Sequence, residues 1–436
     1  MNERDSETLA GMLEERGYAR TEDRAQADVL LINTCSVREN ADKKFFGTLG
    51  LIKKLKENKP ALVVGVCGCM MQQQHIIDTI KSKYSWVDIV FGTHNLHRLP
   101  QLLDNLIAEK KKQREVWPEH HGIEEGLPAH RQHSFKAYVN IMYGCNNFCT
   151  YCIVPYTRGR ERSRMPEEIL KEVQGLVASG VKEITLLGQN VNSYRPESAE
   201  VPDFPALLRL LNGVEGLQRI RFMTSHPKDL SEGLIQAYKD CEKLCPHIHL
   251  PVQSGSSAVL KRMNRRYTKE QYIDLVGRLR EAVPNIAIST DIIVGFPGET
   301  EEDFLETLDL VNKVQYDSAF TFLYSVRKGT PAAEYEDQIP EEVKHERFDR
   351  LVEAVNTISA EKNRRKVGQT EWVLCEGESK TDAGLFTGRT PDHKLINFLP
   401  AAGPDGQPIS LKEGDLVQVE VTSSNTFSLV GKAVTL

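Results

Sequence analysis

What the 436-residue chain lacks narrows its class first. No apolar run approaches the roughly 20 residues of a membrane-spanning helix, and the amino terminus shows no basic-then-apolar signal, so a cytoplasmic protein with no membrane partner is expected. Nine cysteines are an odd number, mostly in short clusters; this disfavours a disulfide framework and favours metal ligation in a reducing compartment. A net charge of −6 argues against a uniformly basic nucleic-acid binder. Basic residues nevertheless bunch at Arg158, Arg160, Arg162 and Arg164, at Lys261, Arg262, Arg265 and Arg266, and at Arg364, Arg365 and Lys366. One such bunch is usually a solvated face; three of them, beside a small carboxyl-terminal β-domain, predict an RNA footprint. No His, Asp or Glu stands out as a general acid or base. The composition, 40% apolar and 27% charged, is that of an ordinary globular chain long enough for two to four domains.

What is present centres on residues 143–152, Tyr-Gly-Cys-Asn-Asn-Phe-Cys-Thr-Tyr-Cys. Cys145, Cys149 and Cys152 lie in one loop directly after the apolar run that starts at Lys136. Structural zinc is normally closed by four ligands, and no fourth Cys or His follows at finger-like spacing. Three thiolates suit an iron–sulfur cluster with one iron left for a non-protein ligand; a stray zinc site or a redox loop is the alternative.

Residues 1–108 read as strand–helix repeats: Asp28-Val-Leu-Leu-Ile-Asn with a helix from about Arg38, Ala61-Leu-Val-Val-Gly-Val with a helix from Met70, and Val87-Asp-Ile-Val-Phe with a helix from Asn95. Continuous β-branched runs between amphipathic stretches predict a doubly wound parallel sheet. Cys35 falls just past the first strand, and Cys67 and Cys69 just past the second, where open α/β sheets place ligands. Residues 109–134 are charged and aperiodic and read as a linker or ordered crossover; metal binding by His120, His121, His130 and His133 is not expected.

From 135 to 366 the alternation repeats six times, with strands near 136–142, 183–187, 219–223, 247–250, 287–294 and 318–324. Without a Gly-rich dinucleotide fingerprint, six parallel units predict a partial (β/α)6 barrel with its chemistry at the carboxyl ends of the strands. Gln189 and Asn190, Ser225 and His226, Gln253 and Ser254, Asp291 and Gly295 stand at or near those ends; His226, before a proline, is only a pocket candidate. Cys241 and Cys245 read as packing residues. After a charged helix from Pro340 to about Lys366, residues 367–436 alternate short Val- and Thr-rich strands with Gly and Asp turns, predicting a small antiparallel β-barrel.

These motifs carry a resemblance. The Cys145-x3-Cys149-x2-Cys152 spacing is similar to the signature of radical S-adenosylmethionine enzymes, in which the open iron holds the methionine group of the cofactor and an electron from the cluster cleaves it to a 5'-deoxyadenosyl radical. Tyr151 matches the aromatic that family places before the third cysteine. Gly188-Gln-Asn and Asp291-Ile-Ile-Val-Gly-Phe-Pro-Gly resemble its cofactor-holding segments, which implies S-adenosylmethionine contacts from Tyr151, Gln189, Asn190, Gln253, Ser254, Asp291 and Gly295. Asn33-Thr-Cys-Ser-Val-Arg-Glu-Asn-Ala and Gly65-Val-Cys-Gly-Cys-Met-Met-Gln look like the amino-terminal domain of the methylthiotransferases, which implies a second, auxiliary [4Fe-4S] cluster on Cys35 and Cys69. The carboxyl-terminal barrel resembles a TRAM domain, with Arg389 and Asn397 at positions facing a ligand.

The chain departs from that family at one place. Its members carry a third auxiliary-cluster cysteine in Gly-Cys-Gln-Met-Asn-x-x-Asp-Ser-Glu, whereas this sequence begins Met1-Asn-Glu-Arg-Asp-Ser-Glu. Either the natural protein extends upstream, or Cys67 serves instead. Thr224-Ser-His-Pro and His249-Leu-Pro-Val-Gln-Ser-Gly-Ser are most similar to the branch that adds CH3-S to carbon 2 of N6-isopentenyladenosine at position 37 of tRNA. The resemblance implies two [4Fe-4S] clusters, two S-adenosylmethionine molecules per turnover, a tRNA anticodon stem-loop as partner, a reductase or flavodoxin-type electron donor and a monomer. Rival acceptors are N6-threonylcarbamoyladenosine in tRNA and an aspartate of a ribosomal protein; a non-catalytic iron–sulfur RNA-binding protein is the rival of another class. An aromatic C–H bond is too weak an acid for side-chain bases, which accords with their inconspicuousness here.

Overall fold

Alternate residues of one strand show how the amino-terminal sheet is covered on both sides. Val66 joins Phe45, Leu49, Ile76 and Ile80 in one buried cluster, while the next residue, Cys67, joins Leu9, Met12, Phe91, Leu99 and Leu102 in another. Successive strand side chains point to opposite faces, so each face needs its own helices. In the computed structural model, which describes residues 1–36, 41–380, 382, 384–402 and 409–434, those helices are α2 (Ala41–Asn58) and α3 (Gln74–Lys83) on one face and α1 (Asn2–Glu14) and α4 (Leu99–Glu109) on the other. Between them lie β1 (Val29–Thr34), β2 (Val63–Gly68), β3 (Ile89–Phe91) and β4 (Gln113–Glu115), all parallel and in the order β1-β2-β3-β4. β4 comes from the segment read as a linker or crossover. The expected helix start at Arg38 lies outside the described residues. The starts expected at Met70 and Asn95 are 3-10 turns, Cys69–Gln72 and Thr93–Arg98, that precede α3 and α4.

The chain forms two compact units: one of residues 1–132, 140–164 and 327–330, the other of residues 133–139, 165–326 and 331–436. Besides the doubly wound sheet, the first holds β6 (Met142–Tyr143), α5 (Val154–Arg158) and β7 (Arg162–Ser163). The cysteine loop thus groups with the amino-terminal domain.

The second unit contains the partial barrel. Its strands β5 (Lys136–Asn140), β8 (Glu183–Leu187) and β9 (Arg219–Phe222) form one sheet, and β10 (His247–His249), β11 (Ala287–Val294) and β12 (Ser318–Leu323) another. A parallel bridge between Ile220 and Leu244 joins them. The intervening helices are α6 (Pro166–Ala178), α7 (Phe204–Asn212), α8 (Glu232–Asp240), α9 (Ser257–Arg262), α10 (Lys269–Ala282) and α11 (Glu301–Val314). Side chains of Asp203, Ser231, Ser256, Thr268 and Thr300 cap the amino ends of α7 to α11, each cap worth about 1 kcal/mol. Then α12 (Glu341–Arg364) leads to β13 (Thr370–Glu378), β14 (Phe386–Arg389), β15 (Leu395–Leu399), β16 (Leu416–Ser424) and β17 (Ser428–Ala433).

These five strands close into a barrel in the order β13-β14-β15-β17-β16. An all-antiparallel barrel is corrected in one pair: β15 and β17 run parallel. A ring with an odd number of strands cannot alternate direction throughout, so closure requires at least one such pair. Buried arginines of β9 tie this barrel to the larger one. Arg219 donates to the carbonyls of Arg389 and Trp372 at 2.8 and 2.9 Å, and Arg221 to those of Pro391 and Thr390 at 2.8 and 2.9 Å, with Glu183 accepting from Arg221 at 3.0 Å.

Candidate functional site

The three-cysteine loop is built locally. β6 pairs antiparallel with β7, Met142 opposite Ser163 and Tyr143 opposite Arg162, which pinches together the ends of the segment between them. Inside it the Cys145 amide donates to the Gly159 carbonyl at 3.1 Å, the Asn146 amide to Glu161 Oε1 at 3.1 Å, and the Cys152 amide to the Cys149 carbonyl at 2.9 Å. Gly144 has φ +79°, and a Cβ there would stand 2.0 Å from the Arg160 carbonyl oxygen, so a side chain is excluded twice over. Phe148 is left-handed at φ +47°, and the Arg160 guanidinium lies 4.4 Å from its ring centroid. Cys145 and Cys149 are buried, Cys152 half-buried, and none is in a disulfide.

Among the described residues, no three His, Cys, Asp or Glu side chains converge as the ligands of a single ion do. That does not oppose an iron–sulfur cluster, in which each thiolate binds its own iron. Three thiols on ten residues of closed, irregular loop fit that group.

Cys35 and Cys69 are placed by sheet register instead. Asn33 pairs with Cys67 and Thr34 with Gly68, so Cys35 and Cys69 each follow the last paired residue of neighbouring parallel strands. Thr34 Oγ1 donates to the Cys67 carbonyl at 2.6 Å and accepts from the Met70 amide at 3.2 Å, fixing both strand ends. Gly68, at φ +93°, has no room for a Cβ, which would approach Asn33 Oδ1 and the Thr34 carbonyl at 2.5 Å. Asn33 in turn exchanges hydrogen bonds with Asn2 at 2.9 and 3.0 Å. Cys67, two residues before Cys69, is fully buried in the α1/α4 cluster, and burial, followed by the charges of Asp5 and Cys69, pushes its thiol well above the usual range. It is a fully buried core residue close enough to Cys69 to feel its charge.

Of the arginine bunch beside the loop, Arg158 and Arg164 are buried, Arg162 is half-buried and Arg160 is exposed. The Arg158 Nε donates to Cys69 Sγ at 3.3 Å and its Nη2 to Asp5 Oδ2 at 2.6 Å, with both Arg158 and Asp5 buried. Burial alone would lower the guanidinium pKa; the charges of Asp5 and Cys69 and their hydrogen bonds reverse this and hold it above its usual value. Arg158 ends α5, six residues after Cys152, and α5 packs on the 3-10 turn that begins at Cys69. Arg164 binds Glu125 and the Asn140 carbonyl, and Arg162 the carbonyls of His120 and Gly122. The sequence reading missed this use of the bunch.

In the second unit the candidate cofactor residues sit at strand ends. Asn190 is buried, its Nδ2 donating to Asp229 at 2.7 Å, while its Oδ1 has no partner among the described residues; Ser225 Oγ is likewise buried and unsatisfied. Unsatisfied buried oxygens fit a site completed by a ligand. Gln253, at φ +70°, bridges by backbone to Asp291 and Ile293 at 2.9 and 2.8 Å. Ser254 is fully buried and spent internally, its Oγ accepting from the Ser256 amide at 3.2 Å. Gly295, at φ +73°, donates its amide to Glu299 Oε1 at 3.0 Å; burial raises that carboxyl to about 7, with Arg347 opposing. Gln189 and Asp291 are half-buried, as is Tyr151 in the first unit. His226 caps its own turn, Nδ1 accepting from the Lys228 amide at 3.2 Å, and burial pushes its pKa far down. Cys241 and Cys245 are buried, as packing residues. Arg389, expected to face a ligand, stands near Glu376 and donates to the His393 carbonyl at 3.3 Å. Asn397 Nδ2 reaches Asp382 at 3.5 Å.

Comparison with known proteins adds three family matches in chain order: the uncharacterized protein family UPF0004 over residues 1–92, the Radical SAM superfamily over 139–311 and the TRAM domain over 364–434. The chain is 55% identical over 434 residues to tRNA-2-methylthio-N(6)-dimethylallyladenosine synthase of Clostridium botulinum (strain Hall), covering 100% of this chain and 95% of that protein. The chain belongs to this synthase family. Members from Clostridium tetani, 56% identical, and Alkaliphilus oremlandii, 55% identical, are matched over 100% of this chain and over 94% and 90% of their own lengths. Among solved structures, the radical S-adenosylmethionine methyltransferase TsrM of Kitasatospora setae shares the fold at a TM-score of 0.56 and 15% identity, over 76% of this chain and 72% of that one. As a synthase-family enzyme with a Radical SAM domain, the chain takes S-adenosylmethionine and a [4Fe-4S] cluster. No described helix is long and apolar enough to cross a membrane.

Proposed function

We propose that this enzyme transfers a methylthio group to carbon 2 of N6-isopentenyladenosine at position 37 of tRNA, with Cys145, Cys149 and Cys152 holding the cluster that works on S-adenosylmethionine. The observation that carries the assignment is the closed loop with three thiols in a chain 55% identical, end to end, to a synthase of that name. When bound, the cluster supplies the electron that opens the cofactor sulfonium. Gly144 and the β6–β7 pair keep the three thiols together. Within the second unit, Gln189, Asn190, Gln253, Asp291 and the Gly295 turn are the proposed hydrogen-bonding contacts of the cofactor.

A second [4Fe-4S] cluster is assigned to Cys35 and Cys69, which supply two of its ligands; Cys67 does not supply a third. Arg158 neutralises and orients the Cys69 thiolate, an outer interaction of the kind that tunes cluster ligands. An anticodon stem-loop as substrate, a flavodoxin-type electron donor, a cytoplasmic location and a monomer complete the reading. The test is nucleoside analysis of tRNA from a deletion strain of the source organism. Loss of the 2-methylthio form with accumulation of N6-isopentenyladenosine is expected; an unchanged level contradicts the assignment. Loss of a methylthio-threonylcarbamoyl nucleoside, or of a ribosomal methylthio-aspartate, transfers it to a rival acceptor.

A further inference from the structure

The β10–β12 sheet has two unlike faces. Ile288, Thr290, Ile292 and Val294 point to one and are buried against neighbouring elements. The register sets His249 beside Ser289, Asp291 beside Phe320, and Ile293 beside Phe322, so these six side chains share the other face. There Phe320 is 54% and Phe322 42% exposed, two residues apart on one strand. Single exposed apolar residues are ordinary, but adjacent aromatics on a strand of a catalytic barrel are not.

The polar neighbours of this face are fixed. His249 Nδ1 lies 3.0 Å from Ser289 Oγ, its Nε2 3.5 Å from Asp291 Oδ1, and its ring meets Phe320 edge-on at 6.0 Å between centroids. The strand residues of this face include no Lys or Arg and one carboxylate, Asp291, while Arg221 and Lys394 lie toward its His247 end. An acceptor bearing a carboxylate, such as a threonylcarbamoyl group or an aspartate side chain, would meet the like charge of Asp291 beside the rings. A branched apolar substituent would instead bury against both rings.

We propose that Phe320 and Phe322 form the recognition wall for the acceptor nucleoside, stacking its extruded adenine ring and packing its N6-isopentenyl group. This inference rests on the function proposed above and deepens it from a class of nucleoside to the residues that select it. Extruded RNA bases are held by stacking on aromatic side chains, and an added apolar group in a fitted pocket is discriminated by about tenfold or more.

The test measures binding, independently of turnover. Full-length protein, with its clusters and S-adenosylmethionine, is titrated by fluorescence anisotropy into anticodon stem-loop RNA carrying either N6-isopentenyladenosine or unmodified adenosine at the acceptor position. The unsubstituted protein is expected to prefer the isopentenylated RNA by roughly tenfold. Phe320→Ala and Phe322→Ala should each cut that preference to less than about threefold, and Phe322→Leu should keep most of it. Alanine variants that keep the full preference overturn the proposal, as do variants that weaken both RNAs equally. Should the unsubstituted protein show no preference, the wall fails as well, and the nucleoside analysis decides separately whether the function stands. Melting curves of the variants, expected to match the parent because both rings are exposed, show that the fold is intact.

Discussion

The two thiol sites of the first unit are built in opposite ways. Cys145, Cys149 and Cys152 stand on ten consecutive residues, and what shapes them is close at hand: Gly144 before, Gly159 to Arg162 after. Cys35 and Cys69 are 34 positions apart and become neighbours only because Thr34 pairs with Gly68. Their support comes from farther still, with Asp5 and Arg158 153 positions apart joined beside Cys69. A local loop tolerates change elsewhere in the chain. A site assembled by register inherits every fault of the sheet beneath it.

Substitutions can break this contrast, beginning with the largest effect. Cys145→Ala removes a ligand of the local loop, and release of 5'-deoxyadenosine from S-adenosylmethionine under dithionite is expected to vanish while the iron of the other site stays. Asp5→Ala leaves the Arg158 guanidinium buried without its carboxylate, at a cost of about 3–5 kcal/mol. Denaturant unfolding should show that loss, and iron content should fall at the Cys35/Cys69 site while 5'-deoxyadenosine release continues. Gly68→Ala forces a side chain against Asn33 and Thr34 at a positive φ, costing about 1–3 kcal/mol and again lowering iron only at the register-built site. The mildest is Cys67→Ala, expected to lose about 1 kcal/mol from the α1/α4 core with iron unchanged. Iron loss in that variant would show that Cys67 is a ligand after all.

The same contrast explains what the sequence disclosed. The loop was legible because its chemistry and its spacing are contiguous. The strands at 29–34, 63–68 and 89–91 were legible as β-branched runs, and their parallel order put Cys35 and Cys69 at equivalent ends. Residue order alone did not separate Cys67 from Cys69, since the first ends up inside the β2 core and the second opens the 3-10 turn beyond the strand. The roles of Asp5 and Arg158 were invisible, because an acidic residue near the amino terminus and one arginine in a basic bunch look like solvated surface until the fold brings them together. Arg162 and Arg164 were misjudged for the same reason. The parallel β15–β17 pair follows from closing five strands into a ring, a count that becomes certain only when the strands are seen.

Iron and acid-labile sulfide content tests the two-site account most directly. The unsubstituted chain, reconstituted without oxygen, is predicted to hold about eight irons; the Cys145/Cys149/Cys152→Ala triple variant and the Cys35/Cys69→Ala double variant should each keep about four. About four irons in the unsubstituted chain, falling to none in the triple variant and unchanged in the double, would contradict a cluster at the strand ends of β1 and β2.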